Sequence, residues 1–182
     1  MVAPTKQKQI PTDQELMNLP KDGFKRELLN GEIVMSPAGS AHGRLIMRFA
    51  YLLSNHVYEH ALGEIYDGQT GFRMKSRDVL SPDISFVAGK RAATNERFFE
   101  GAPDLAIEFL SPRESKKRMA QKVGQYLENG TRLAWVMDPK TKTLTIHRPG
   151  KPPVTLTEGD ELPGEEVVPG FIVPVHRIFH PK

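Results

Sequence analysis

The 182-residue chain contains no cysteine. Disulfide staples and thiolate metal sites are therefore excluded, and any metal must be held by oxygen or imidazole donors. No apolar run approaches the roughly 18 residues that a membrane-spanning helix needs. Met1 to Pro11 is polar and lacks the apolar core of a secretion signal, so a cytoplasmic location is expected, with no membrane partner. Nucleotide-hydrolase phosphate loops, dinucleotide fingerprints and the Gly-x-Ser-x-Gly elbow are all missing. So are internal repeats and low-complexity tracts. Charge of one sign is not dominant either. With 25 basic and 22 acidic residues, the formal charge of +3 is compatible with a polyanionic partner but does not require one.

Distribution says more than the total. Arg113, Lys116, Lys117 and Arg118 form a basic cluster that could contact phosphates, and the plain alternative is a solvated face. The stretch from Glu158 to Glu166 is acidic. At this length the composition fits one domain with a mixed complement of elements. Residues 1–11 read as a flexible tail and 12–182 as the folded unit.

Elements alternate in type along that unit. A short amphipathic segment at 12–19 carries Thr12 or Asp13 as its N-cap. Asn30-Gly31 between Glu27-Leu28-Leu29 and Glu32-Ile33-Val34-Met35 is a strong hairpin signal. Leu45, Phe49, Leu52, Leu53 and Val57 recur with helical period over about 41–60. Extended segments are expected at 64–66, 71–74, 83–87, 104–110, 133–137 and 144–147, with an edge at 154–157. The segment 88–102 reads as irregular, 114–129 as a helix striped by Met119, Val123, Tyr126 and Leu127, and 167–179 as a short extended piece. Strict βαβ alternation is absent, so the expected class is mixed α/β (α+β): a mixed sheet flanked by helices.

Two acids stand inside or beside apolar runs. One is Asp83 in Ser81-Pro82-Asp83-Ile84-Ser85-Phe86-Val87. The other is Glu108 in Pro103-Asp104-Leu105-Ala106-Ile107-Glu108-Phe109-Leu110. A carboxylate in an apolar run is costly to bury without a partner. Side chains alternate along a strand, so Leu105, Ile107 and Phe109 take one face and Glu108 shares the other with Ala106. If the two strands pair about 4.8 Å apart, both acids could share one cation at about 2.1 Å, the distance Mg²⁺ prefers. Such an ion polarises a phosphate and acidifies an attacking water. A salt bridge to a basic residue would satisfy the same acids. Lys122 sits on the flank of the helical stripe downstream, where it could stabilise a phosphate or simply snorkel to solvent. Glu27 lies in the first hairpin strand and His42 opens the long helix. His56 and His60 have i, i+4 spacing but no third ligand in view.

These pieces follow one another in a familiar order. Arg26-Glu27-Leu28-Leu29-Asn30-Gly31-Glu32, His42, Ser81-Pro82-Asp83-Ile84, Pro103 to Pro112, and Lys122 to Gly130 leading into Ala134-Trp135-Val136-Met137-Asp138-Pro139 resemble the Uma family. That family consists of restriction-endonuclease-like proteins in the PD-(D/E)XK nuclease superfamily, and the likeness runs over about 12–179. It implies a restriction-endonuclease-like fold on an αβββαβ core. It also implies that Asp83 and Glu108 hold Mg²⁺ (Mn²⁺ as a substitute), with Glu27 as a further metal-side acid, Lys122 as the catalytic lysine and His42 beside the site. The superfamily places its lysine two positions after the second acid, where this chain has Leu110. Lys122 on the next helix takes that part, with Lys116 and Lys117 as alternatives. The implied activity is Mg²⁺-dependent hydrolysis of DNA phosphodiester bonds, with a homodimer as the default for cutting two strands. The alternative is a nuclease fold that binds nucleic acid or a protein without cleavage.

Overall fold

The computed structural model of the chain describes residues 11–20, 25–35, 39–89, 98–111 and 115–180. The helices are α1 (Asp13–Met17), α2 (Ser40–Glu59), α3 (Lys116–Glu128) and α4 (Val175–Phe179). The strands are β1 (Arg26–Leu29), β2 (Glu32–Met35), β3 (Gly63–Asp67), β4 (Phe72–Arg73), β5 (Val79–Leu80), β6 (Ile84–Ala88), β7 (Phe99–Glu100), β8 (Leu105–Phe109), β9 (Leu133–Asp138), β10 (Thr143–Arg148), β11 (Lys151–Leu156), β12 (Glu161–Pro163) and β13 (Ile172–Pro174).

The central sheet has six strands in the order β11-β10-β9-β8-β6-β3. Only β8 and β9 run parallel, and the remaining neighbours are antiparallel. In chain order α2, β3, β6, β8, α3 and β9 make up the αβββαβ core. A second sheet, β2-β1-β5-β4-β7, and the small pair β12-β13 complete the described strands.

Alternation on β8 explains how the layers form. Leu105, Ile107 and Phe109 join Phe49, Leu53 and Val57 of α2 in one core cluster. Ala106 joins Met119, Val123 and Tyr126 of α3 in another. The central sheet is therefore covered by α2 on one face and α3 on the other. Burying each large apolar side chain contributes about 1.5–3 kcal/mol, so both faces hold the sheet firmly. The small residues Ala106 and Ala134 are paired neighbours on the α3 face. They let that helix approach closely, and Glu108 sits one step further along the same face.

Local signals account for the ends of elements. Asn30 and Gly31 both have positive φ, 50° and 71°, as the two-residue hairpin turn between β1 and β2 demands. Thr12 caps α1 and forms a reciprocal capping box with Glu15. Ser115 caps α3 by accepting from the backbone N–H of Arg118. The two-residue strands β5 and β7 lack any periodic signal, and β7 falls within the segment expected to be irregular. The edge strand β11 starts at Lys151, earlier than its expected bound. An edge tolerates a proline whose missing donor faces no neighbour, and the register shift between Ile146 and Arg148 lies opposite Pro152 and Pro153. Among the described residues no helix is long and apolar enough to cross a membrane.

Candidate active site

Five elements bring the site together. β6 and β8 pair with Ile84 opposite Ile107, and one step on in that register Asp83 comes opposite Glu108. β1 supplies Glu27 with Lys25 just before it, α2 supplies His42 near its start, and α3 supplies Lys122 and Tyr126.

The inner part is almost closed to solvent. The Lys122 Nζ lies 2.7 Å from Glu108 Oε1 and 3.1 Å from Glu27 Oε2. The Tyr126 hydroxyl donates to Glu108 Oε1 at 2.6 Å, and the Ser81 N–H donates to Glu27 Oε1 at 2.8 Å. Side-chain exposure is 3% for Lys122 and Glu108 and 4% for Glu27. One ammonium thus bridges two buried carboxylates, the pairing such groups require.

The outer part surrounds Asp83, whose side chain is 12% exposed. Lys25 Nζ lies 3.0 Å from Asp83 Oδ1. The Phe109 N–H donates to Asp83 Oδ2 at 2.9 Å, and His42 Nε2 stands 3.5 Å from the same oxygen. His42 Nδ1 is buried and has no hydrogen-bond partner among the described residues.

These surroundings drive the two acids apart. Burial would raise Asp83, but the Lys25 ammonium, the His42 contact and the Phe109 N–H hold its carboxyl well below the usual carboxylate range. Burial pushes Glu108 up to about 7, against the pull of Lys122 and with repulsion from Asp83 added. Burial also raises the Tyr126 hydroxyl well above its ordinary value, with the charge of Glu108 adding to the effect. Tyr126 therefore remains a proton donor to Glu108. Burial opposes the charge on Lys25, but Asp83, Glu27 and Glu108 outweigh it and raise its pKa.

All five residues expected at the site, Glu27, His42, Asp83, Glu108 and Lys122, meet in this one constellation. The basic cluster does not join it. Lys116, Lys117 and Arg118 are exposed on the first turn of α3, and Arg113 lies outside the described residues. Arg118 precedes Lys122 by one helical turn, so it borders the site on the same side of α3. A cleft of about 470 Å³ between α3 and β10 includes Leu110, Lys116, Met119, Asp138 and His147 in its walls but none of the five.

The family model of Uma2, described as "Putative restriction endonuclease", matches residues 13–176. The chain belongs to the Uma2 family. This Uma2 chain is also similar in fold to the crystal structure of a putative nuclease from Anabaena variabilis. The TM-score is 0.83 and the identity 20%, over 93% of this chain and 97% of that one. No curated protein matches it.

The sequence reading assigns neither Lys25 nor Tyr126 to the candidate site, and the structure places both beside its acids. Lys25 is two residues before Glu27, the spacing that puts strand residues on one face. Tyr126 is four residues after Lys122, the spacing that stacks them on one helix face. Tyr126 reads as part of the apolar stripe, where its ring does pack. Helical spacing sets Lys122 on the flank of that stripe, and the side chain is buried there because Glu27 and Glu108 draw it inward. His56 and His60 stack with ring centroids 4.3 Å apart. His56 Nε2 contacts the Pro169 carbonyl and His60 Nδ1 the His56 carbonyl. No group of three metal-ligating side chains exists among the described residues.

Proposed function

We propose that this protein is a metal-dependent endonuclease that hydrolyses phosphodiester bonds of DNA. The observation that carries the reading is the Asp83–Glu108 pair on adjacent strands, with Lys122 bound to Glu108 and Lys25 bound to Asp83. A structural pair of acids has no need of one deeply depressed and one raised pKa side by side. Such a split is common where acid and base roles are divided.

The donor chemistry fits Mg²⁺ or Mn²⁺. Every carboxylate here is a hard oxygen donor, and Mg²⁺ is usually held by one or two carboxylates with water and substrate phosphate filling the remainder. Asp83 and Glu108 would hold the ion; Glu27 lies behind Lys122 and does not complete a three-ligand group with them among the described residues. When bound, the ion supplies a Lewis acid for the phosphate and lowers the pKa of water. The side chains do the rest. Lys25 and Lys122 place two ammonium groups where negative charge builds on the phosphate. His42, with Nε2 3.5 Å from Asp83 Oδ2, would position that carboxylate and relay a proton beside it. Lys116, Lys117 and Arg118, with Arg113 before them, would hold flanking phosphates, which makes binding salt-sensitive.

The test is nicking of supercoiled plasmid in Mg²⁺, Mn²⁺ or EDTA, with Glu108→Ala alongside and circular dichroism confirming its fold. Metal-dependent nicking that falls about a thousandfold in the variant is expected, on the scale of losing a principal charge-stabilising group. Full activity in the variant would remove Glu108 from the chemistry. A second reading draws on the same contacts. Asp83, Glu27 and Glu108 already have lysine partners, as in a nuclease fold that binds without cutting. Salt-sensitive DNA binding with no Mg²⁺ or Mn²⁺ uptake in calorimetry would select it.

A further inference from the structure

α2 covers the core with one face and leaves another bare. Phe49, Leu53 and Val57 are buried. Arg44, Met47, Tyr51, Asn55 and Tyr58 are exposed. Spacings of three, four, four and three residues put them on one stripe about 21 Å long. Met47 is 68% exposed, Tyr51 71% and Tyr58 53%. A lone exposed apolar side chain needs no explanation, but a contiguous patch marks a contact surface. Tyr, Met and Arg are also the residue types that interface cores concentrate.

The charges on this helix are set against its own dipole. Arg44 lies near the positive N-terminal end and Glu59 is the last residue at the negative end. Neither forms an ion pair among the described residues. A second α2 laid antiparallel corrects both at once, because each misplaced charge then meets the opposite end of the neighbouring helix.

We propose that α2 pairs antiparallel with α2 of a second copy of this chain, about a two-fold axis beside Tyr51. Under that symmetry Tyr51 faces its own copy, Met47 faces Asn55, and Arg44 faces Tyr58 within reach of Glu59. Arg44 can then stack on the tyrosine ring and pair with the carboxylate. The stripe is self-complementary, as an isologous contact requires. At about 150–250 Å² per aromatic ring, each copy covers on the order of 500 Å². The total near 1,000 Å² is at the lower limit of specific interfaces, so a reversible, micromolar dimer is expected. A nucleic acid fits the stripe less well, because Glu59 repels phosphate at one end. The two copies of His42 would lie about 27 Å apart along the helix axes.

Sedimentation equilibrium over about 1–100 µM chain, in EDTA and without nucleic acid, tests the pairing independently of any cleavage. The wild type should pass from monomer to dimer across that range. Tyr51→Glu should weaken association at least tenfold. Arg44→Glu and Glu59→Arg should each weaken it, and the double variant should recover it. All positions are exposed, and thermal melting checks that each variant is folded. A wild type that stays monomeric, a dimer indifferent to Tyr51→Glu, or a double variant without recovery would overturn the proposal.

Discussion

The two halves of the candidate site use the same ingredients and move their carboxyls to opposite sides of the usual range. In each, a strand carboxylate meets a lysine about 3 Å away. Asp83 keeps some solvent contact and gains a backbone N–H, and its carboxyl is held low. Glu108 is closed off and shares its lysine with Glu27, and its carboxyl rises to about 7. What matters is whether a cation is dedicated or divided, and how much water remains to support the charge. The inner half is thus a buried scaffold poised near neutrality, and the outer half presents a fixed anion at the mouth.

The largest expected effect comes from removing the shared cation. Lys122→Met leaves Glu27 and Glu108 buried without their ammonium, and should destabilise the protein by about 3–5 kcal/mol in urea unfolding. Lys25→Met acts on the more open pair, where Asp83 retains the Phe109 N–H. It should cost about 1.5–3 kcal/mol, less than Lys122→Met. Equal losses would break the distinction between the halves.

The pH dependence of stability, measured in EDTA, sharpens it further. Glu108 has a folded pKa raised from 4.5 to about 7. Its contribution is therefore fully present below about pH 4.5 and lost as pH rises through about 7. Asp83 has a folded pKa depressed below 3.8. Its contribution is present above that value and lost as pH falls through the folded one. Glu108→Gln should flatten the decline between pH 4.5 and 7 and leave the acid side alone. Asp83→Asn should do the reverse.

A smaller change is expected from Tyr126→Phe. The hydroxyl donates to Glu108 Oε1 and so favours the ionised acid. Its loss should move the Glu108 midpoint to higher pH and cost about 1 kcal/mol of stability. A midpoint that moves downward would mean that the hydroxyl does not support the charge.

The acid pair is legible in the residue pattern, while the place of Glu27, His42 and Lys122 beside it is legible only through the resemblance to the Uma family. The alternation Leu105-Ala106-Ile107-Glu108-Phe109 fixes the face of Glu108, and the structure divides those residues between two clusters as the pattern requires. Asp83 is legible as the acid that follows Pro82 at the start of an apolar run, and it stands just before β6. The role of Lys122 was less so. Helical spacing alone leaves it on a flank, and only the acids across the sheet draw it inward. Lys25 and Tyr126 were hidden because neither interrupts a pattern: a lysine before a strand reads as surface, and a tyrosine in an apolar stripe reads as core. The two-residue strands β5 and β7 are set by tertiary pairing, which no local period announces.

The contrast between the halves rests on the charge state of Glu108, and that can be observed directly. Carbon-13 carboxyl NMR of glutamate-labelled protein, assigned with Glu108→Gln, would follow its titration in EDTA and again in Mg²⁺. A resonance that titrates near pH 7 in EDTA and shifts to lower pH with Mg²⁺ is the predicted result. A resonance that titrates below pH 5 and ignores the ion would contradict both the divided-cation account of the inner half and the place of Glu108 at the metal.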